Sequence, residues 1–205
     1  MERRPLKTRS QPWAPALARA LLRLRLTPNG VSVIGIFFAL GAGALLAWGT
    51  QCWWCLLLAA GGIQLRLLCN MLDGLMAVEG GAKKKDGLFF NEVPDRIEDV
   101  VLLVGAGYGA GVEWIGWLAA VLAVTTAYLR AFGASLGLGQ DFCGPGAKPH
   151  RMFVMTVGCL AGAGWLFFGG PQRAVEWALM AVAVLAGITV ARRGWRIRRN
   201  MLEAP

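Results

Sequence analysis

The sequence is poor in charge and in the residue types that soluble enzymes and zinc sites require. Only 16% of the 205 residues are charged, against about 25% in a typical soluble domain, and 56% are hydrophobic. The single histidine, His150, excludes a histidine-rich zinc or haem site. The five cysteines are odd in number and lie in apolar settings, which argues against a disulfide framework. This composition predicts a polytopic α-helical membrane protein.

Acidic residues are scarcer than basic ones. Aspartate and glutamate number 12 against 21 lysines and arginines, which gives a net charge of +9. The basic residues lie in short segments beside apolar runs, and no soluble basic domain is present. This placement favours topology determinants and contacts with anionic lipid. We therefore expect no nucleic-acid partner.

Six apolar windows approach the length of about 20 residues that a bilayer-crossing helix requires. They cover residues 31–49, 52–77, 87–110, 114–136, 151–168 and 172–191. We expect an all-α integral membrane protein with a single domain. Residues 1–29 would form a cytoplasmic segment, residues 30–191 a six-helix membrane bundle, and residues 192–205 a basic cytoplasmic tail.

The stretch APALARALLRLRL, from Ala14, repeats leucine on one face and arginine elsewhere. This pattern predicts an N-terminal amphipathic helix lying in the membrane interface. The residues TPN at 27–29 are predicted to end that helix. Asn29 or Ser32 is then expected to cap the first span.

The basic residues predict the orientation of the spans. If all six windows cross the membrane, lysine and arginine concentrate at both termini and in the connections near 79–86 and 137–151. The opposite connections, near 50, 111 and 170, hold only Arg173. By the positive-inside rule, both termini are expected in the cytoplasm. We expect residence in the bacterial inner membrane.

Ionisable side chains within the windows indicate a functional site, because each costs about 2.5–3.5 kcal/mol on insertion scales. In the second window, Arg66, Asn70, Asp73 and Ala77 fall on one helix face. The polar positions of the third window include Asn91, Glu92, Asp95, Glu98 and Asp99. Because the connection between these windows is short, we expect their helices to pack as neighbours, with Asp73 and Asp95 converging.

Two interpretations of this cluster remain open from the residues alone. One is a set of buried ion pairs, in which Arg66 and Arg96 neutralise Asp73 and Glu92. The other is a site for a hard cation such as Mg²⁺ or Mn²⁺, because clustered oxygen ligands suit such ions. A cytoplasm-facing cleft with a divalent ion is suited to handling phosphate esters.

The polar positions also form one continuous signature. Its positions are Asn70, Asp73, Gly74, Ala77, Val78, Gly87, Asn91 and Asp95. In spacing it resembles the pattern D-x-x-D-G-x-x-A-R-x8-G-x-x-x-D-x-x-x-D of the CDP-alcohol phosphotransferases. The stretch LTPNGVS before the first span is similar to the family's entry into its first helix. The resemblance extends over nearly the whole chain.

The resemblance implies phospholipid biosynthesis, with transfer of a phosphatidyl group from a CDP-lipid such as CDP-diacylglycerol to an acceptor hydroxyl and release of CMP. It implies one or two Mg²⁺ or Mn²⁺ ions and a homodimer. The implied metal ligands are Asp73, Asn70, Asn91 and Asp95. Asp95 is also the candidate base. The candidate nucleotide contacts are Gly74, Ala77, Gly87 and Asn29.

Three positions depart from the family pattern. Asn70 and Asn91 each remove a negative charge, and Val78 removes a cation from the nucleotide side. An active variant branch is one explanation. A second is a shifted register in which Asp95 is a ligand and Asp99 the base. A third is a catalytically impaired lipid-binding or partner subunit, and a small transporter or scramblase is the alternative from another class.

The connection QDFCGPGAKPHRM is expected on the same side as the acids. Lys148 and Arg151 follow its Gly-Pro-Gly bend, and Arg130 ends the preceding span. These cations either anchor the chain or hold a phosphate of the donor or acceptor. Anchoring is favoured for Lys83–Lys85. Glycerol 3-phosphate, inositol phosphate and a lipid hydroxyl all fit as the acceptor.

Overall fold

Seven α-helices form the described part of the chain, which comprises residues 11–80 and 87–203 of a computed structural model. In order they are α1 (Trp13–Arg23), α2 (Pro28–Gly49), α3 (Trp53–Glu79), α4 (Gly87–Gly109), α5 (Glu113–Ser135), α6 (Lys148–Phe167) and α7 (Ala174–Glu203). By length and composition, α2, α3, α5 and α7 qualify as membrane spans. The all-α membrane class is therefore supported, and the six predicted windows each correspond to a helix.

The start of α2 differs from the prediction. Thr27 caps this helix, since its side chain accepts a hydrogen bond from the backbone N–H of Gly30 at 3.1 Å. The expected caps, Asn29 and Ser32, were wrong because Pro28 is already suited to the first helical position and moves the boundary forward. Ser32 lies inside the helix and is buried, so its hydroxyl faces the interior of the protein.

Helix α2 packs against both α3 and α4, whereas α3 and α4 touch each other at few backbone positions. Small residues permit this arrangement. A Cβ atom added to Gly105 would lie 2.4 Å from the carbonyl oxygen of Gly43, so α2 and α4 meet almost backbone to backbone. The prediction that α3 and α4 pack as neighbours was therefore wrong for their backbones. Long polar side chains bridge the two helices instead.

The remaining helices complete the bundle around an apolar core. Helix α6 packs on α3, α5 packs on α4, and α7 contacts both α5 and α6. Helix α1 lies against α3 through the buried side chains of Ala14 and Ala18. The large buried side chains of the core include Leu56, Ile63, Leu103, Met155 and Leu179.

Helix α7 continues to Glu203, beyond the predicted boundary near residue 191. The C-terminal half of α7 holds the α5–α6 connection in place. Arg193 donates a hydrogen bond to the carbonyl of Cys143 at 3.0 Å, and Thr189 accepts one from the N–H of Gly146 at 2.7 Å. The Gly-Pro-Gly bend at 144–146 is thereby fixed against α7, just before Lys148 begins α6.

Candidate active site

A buried network of ion pairs joins α3, α4 and α6. Arg66 donates to Glu98 (Nε to Oε2) and to Asp99 (Nη2 to Oδ1), each at 2.6 Å. Arg151 donates to the other carboxylate oxygen of Asp99. These four side chains are at most 1% exposed. Because buried charges require partners, this network sets the positions of the three helices relative to one another. Arg66 therefore does not neutralise Asp73, as the ion-pair interpretation supposed.

A second cluster lies next to this network and is partly exposed. The amide nitrogen of Asn70 donates to Asp95 Oδ1 at 2.7 Å and to Glu98 Oε2 at 3.0 Å. The ammonium of Lys148 donates to the same oxygen of Asp95. Side chains from α3, α4 and α6 thus meet at one carboxylate, which is 14% exposed.

Asp73 lies one helical turn beyond Asn70 on α3 and has different surroundings. It is 5% exposed, and the hydroxyl of Ser32 donates to its Oδ2 at 2.7 Å. Its Oδ1 is buried and accepts no hydrogen bond from the described residues. No ion pair of Asp73 is found in the described ranges. Ser32 is a site residue that the sequence treated only as a possible cap.

The three predicted phosphate-binding cations all have acidic partners. Arg130 donates to both carboxylate oxygens of Glu92 at 2.6 Å. Lys148 pairs with Asp95 and Arg151 with Asp99. Their exposure separates them, because Arg130 and Lys148 are 20% and 17% exposed and Arg151 is 1% exposed. Only the first two are accessible to a ligand.

Arg151 is further engaged by the protein itself. Its guanidinium donates to the carbonyl oxygen of Gly146 and to the hydroxyl of Thr126, at 3.2 Å for the latter. These contacts connect the Gly-Pro-Gly bend to α5 and to the buried network. In this structure Arg151 therefore holds the connection before α6 in position.

The predicted nucleotide contacts lie at the same end of α2, α3 and α4. Gly74 is buried, and Asn29 and Ala77 are partly buried. Gly87 begins α4, and a Cβ atom added there would meet no heavy atom of the described residues within 4 Å. Asn91 belongs to α4, but its side chain lies outside the described residues, as do Lys83–Lys85.

The oxygen atoms of this region suit one divalent ion whose remaining ligands come from the substrate and from water. No group of three His, Cys, Asp or Glu side chains that could hold a metal is found within residues 11–80 and 87–203. Mg²⁺ is commonly bound by one or two carboxylates together with substrate phosphates and water. The unpartnered Oδ1 of Asp73 provides such a carboxylate oxygen, so the residues present fit the ion in this limited form.

The chain is similar in sequence to synthases of inositol phosphate lipids. No family model matches the chain. Phosphatidylinositol phosphate synthase of Mycobacterium marinum is 31% identical over 192 residues, which cover 86% of this chain and 76% of the relative. The chain belongs to the CDP-alcohol phosphatidyltransferase family. Archaetidylinositol phosphate synthase of Pyrococcus horikoshii is 24% identical over 186 residues and 90% of each chain.

Solved structures agree with this family fold. Mycobacterium tuberculosis phosphatidylinositol phosphate synthase in complex with manganese and citrate has a TM-score of 0.76 at 24% identity, over 90% of this chain and 88% of that chain. Its structure with CDP-DAG bound has a TM-score of 0.74 at the same identity, over 90% and 92%. The likeness to these structures shows the fold.

Family membership confirms the resemblance that was predicted from the signature between Asn70 and Asp95. The protein is an enzyme of the CDP-alcohol phosphatidyltransferase class, which functions in phospholipid biosynthesis. The relatives named above are synthases, and this favours an enzyme over the transporter alternative.

Proposed function

We propose that this family member transfers a phosphatidyl group from CDP-diacylglycerol to a hydroxyl of inositol phosphate, with release of CMP. The observation that carries the proposal is the position of Asp95. Its carboxylate contacts Asn70 of the donor signature on α3 and Lys148 at the start of α6. A base located between the donor signature and an accessible cation suits an acceptor that brings its own phosphate.

On the donor side, Asp73 is the carboxylate that we assign to a Mg²⁺ or Mn²⁺ ion. Ser32 fixes one of its oxygens and leaves the other without a partner in the described ranges. The manganese in the Mycobacterium tuberculosis structure supports the choice of ion, and the CDP-DAG in the second structure supports the donor. When bound, the ion would neutralise charge on the pyrophosphate.

Asp95 is a better candidate for the base than Asp99. Both carboxylate oxygens of Asp99 accept hydrogen bonds from arginines, and its side chain is 1% exposed. It has no face open to an acceptor hydroxyl. Asp95 is 14% exposed, and its Oδ2 has only a long contact with Arg96, at 3.5 Å. This arrangement favours the register of the family motif, with Asp95 as the base, over the shifted register, with Asp99 as the base.

Inositol phosphate is favoured as the acceptor by chemistry and by the relatives. The two relatives are named phosphatidylinositol phosphate synthase and archaetidylinositol phosphate synthase. Their names specify different lipids but the same inositol phosphate group. Three accessible cations lie in this region: Lys148 and Arg96 contact Asp95, and Arg130 contacts Glu92, one turn earlier on α4. A phosphate that binds there would compete with Glu92 and Asp95 for their donors. We assign Arg151 to positioning of the connection before α6.

The finer membrane arrangement is part of the same proposal. Helices α2–α7 would cross the bacterial inner membrane, and α1 would lie in the interface. Both termini and the site would face the cytoplasm, which the placement of the basic residues supports. The family resemblance supports a homodimer. Native mass spectrometry of the detergent-solubilised chain would test it, and a monomer would contradict it.

CMP release from CDP-diacylglycerol tests the function directly. The purified chain, in lipid nanodiscs with Mn²⁺, is expected to release CMP with inositol phosphate and not with inositol or glycerol 3-phosphate. Chelation of the metal should stop the reaction. Release with glycerol 3-phosphate alone would overturn the acceptor. A folded, metal-loaded chain that releases no CMP with any of the three acceptors would overturn the proposed reaction and favour the lipid-binding or partner-subunit alternative.

Two matched substitutions test the assignment of the base. Asp95→Asn is expected to abolish CMP release while leaving the thermal unfolding midpoint near that of the wild type. Asp99→Asn breaks the buried network and is expected to cost about 3–5 kcal/mol of stability. If Asp95→Asn retains full activity, Asp95 is not the base. Loss of activity in a stable Asp99→Asn protein would favour the shifted register.

A further inference from the structure

Lys148 forms an ion pair with Asp95. Its ammonium donates to Asp95 Oδ1, the oxygen that also accepts from Asn70. Lys148 is 17% exposed and its partner 14% exposed, so this ion pair is mostly buried. One oxygen of Asp95 therefore already has two donors, one of which carries a full positive charge.

The amide of Asn70 has one orientation that satisfies its surroundings. Its nitrogen lies 2.7 Å from Asp95 Oδ1 and 3.0 Å from Glu98 Oε2. Carboxylate oxygens only accept hydrogen bonds, so the N–H₂ end of the amide must face them. A carboxylate at this position would repel both neighbours unless a cation lay between them. Asn70 thus removes the need for a cation there.

The charges of the cluster balance before any ion binds. Its acids are Asp73, Glu92, Asp95, Glu98 and Asp99, and its bases are Arg66, Arg96, Arg130, Lys148 and Arg151. Of these acids, only Asp73 lacks an ion pair with the described residues. Its Oδ1 is also a buried oxygen without a hydrogen-bond donor there. Glu98 Oε1 is likewise buried without a donor, but Arg66 pairs with the other oxygen of that carboxylate. Among the described acids of the cluster, Asp73 is therefore the one that lacks a cationic partner.

We propose that Lys148 serves as a built-in cation at Asp95, so that the site binds a single divalent ion, at Asp73. This inference rests on the metal site of the proposed function and specifies its stoichiometry. A second divalent ion at Asp95 would be repelled by the ammonium of Lys148 and would meet the N–H₂ end of Asn70. The lysine and the amide together take the place of a second ion.

Counting bound Mn²⁺ tests the proposal without any lipid substrate. Equilibrium binding followed by electron paramagnetic resonance of free Mn²⁺ is expected to give one ion per wild-type chain. Asp73→Asn should abolish this binding. Asn70→Asp should still give one ion, because the ammonium of Lys148 remains at Asp95 and repels a second divalent ion. Asn70→Asp combined with Lys148→Met should give two ions, and the matched Asn70→Asp with Lys148→Arg should return to one.

Several results would overturn this stoichiometry. Two ions bound by the wild type or by Asn70→Asp would show that Lys148 does not exclude a metal from Asp95. So would a folded Asn70→Asp, Lys148→Met protein that binds only one ion. If the double variant does not fold, the wild type and the single variant still decide the question. Binding of one ion without CMP release would contradict the proposed function and leave this inference standing. CMP release by a chain with two bound ions would overturn this inference and leave the proposed function standing.

Discussion

At the scale of single residues, the environments of two aspartates separate their roles. Asp73 has a neutral donor, Ser32, and a buried oxygen with no donor from the described residues. Asp95 has a charged donor, Lys148, and an amide donor, Asn70. A carboxylate with a free oxygen is suited to a cation, whereas a carboxylate beside an accessible ammonium is suited to a phosphorylated ligand. The difference depends on donors from α2, α3 and α6.

Ser32→Ala tests the role of the serine at this scale. The substitution removes the donor to Asp73 Oδ2, which orients the proposed metal ligand. Loss of such an outer contact typically weakens metal affinity about 10–100-fold. The Mn²⁺ concentration that gives half-maximal CMP release is therefore expected to rise by about tenfold or more. Ser135→Ala, at the end of α5, is the control and should leave this concentration unchanged. An unaltered Mn²⁺ requirement in Ser32→Ala would show that Ser32 does not support the ion.

At the scale of helices, close backbone packing decides which side chains meet. Helix α2 lies against both α3 and α4 because glycines permit the approach. Arg66 and Asn70 on α3 therefore reach the acids of α4 by their length and not by adjacency of the two backbones. Pro94, inside α4, lacks an N–H group and interrupts the helix hydrogen bonds just before Asp95. Replacing a glycine between α2 and α4 should consequently disturb the site as well as the bundle.

Gly105→Ala is expected to destabilise the protein by about 1–3 kcal/mol, as overpacking does. Its Cβ would lie 2.4 Å from a backbone oxygen, which cannot move without displacing a helix. The unfolding midpoint, followed by tryptophan fluorescence in micelles, should fall. Gly61→Ala on α3 is the matched control, because a Cβ there meets no atom of the described residues within 4 Å. This control should be neutral or gain up to about 1 kcal/mol. Equal midpoints in the two variants would contradict the close approach.

At the scale of the whole molecule, the natural cysteines report the orientation. Cys52 lies between α2 and α3, and Cys143 lies in the connection between α5 and α6. Both are partly exposed, whereas Cys55, Cys69 and Cys159 are buried. If helices α2–α7 all cross the membrane, the two partly exposed thiols lie on opposite sides. An impermeant maleimide can distinguish them.

Inside-out vesicles are expected to label Cys143, and right-side-out vesicles Cys52. The variants Cys143→Ser and Cys52→Ser identify each signal. Burial and the hydrogen bond with Asp141 raise the pKa of the Cys143 thiol. A raised pKa lowers the thiolate fraction at neutral pH, so its labelling should become faster as the pH rises. Labelling of both cysteines from one side would contradict the six-span arrangement.

Patterns along the chain were enough to predict the membrane class, the helices and the family. Apolar windows of sufficient length permit few structures other than helices, because lipid offers no hydrogen bonds to the backbone. The spacing from Asn70 to Asp95 was specific enough to indicate the CDP-alcohol phosphatidyltransferases. These properties follow from local order along the chain, so they did not require contacts between distant residues.

The tertiary structure alone decided the partners of the polar side chains. Which of Asp95 and Asp99 is accessible, which cations are buried, and how Ser32 meets Asp73 all depend on contacts between residues far apart in the chain. Helical periodicity places residues on a face but does not say which helix lies opposite that face. Here the glycines of α2 and α4 bring those two helices together, and α6, which packs on α3, carries the Lys148 that pairs with Asp95.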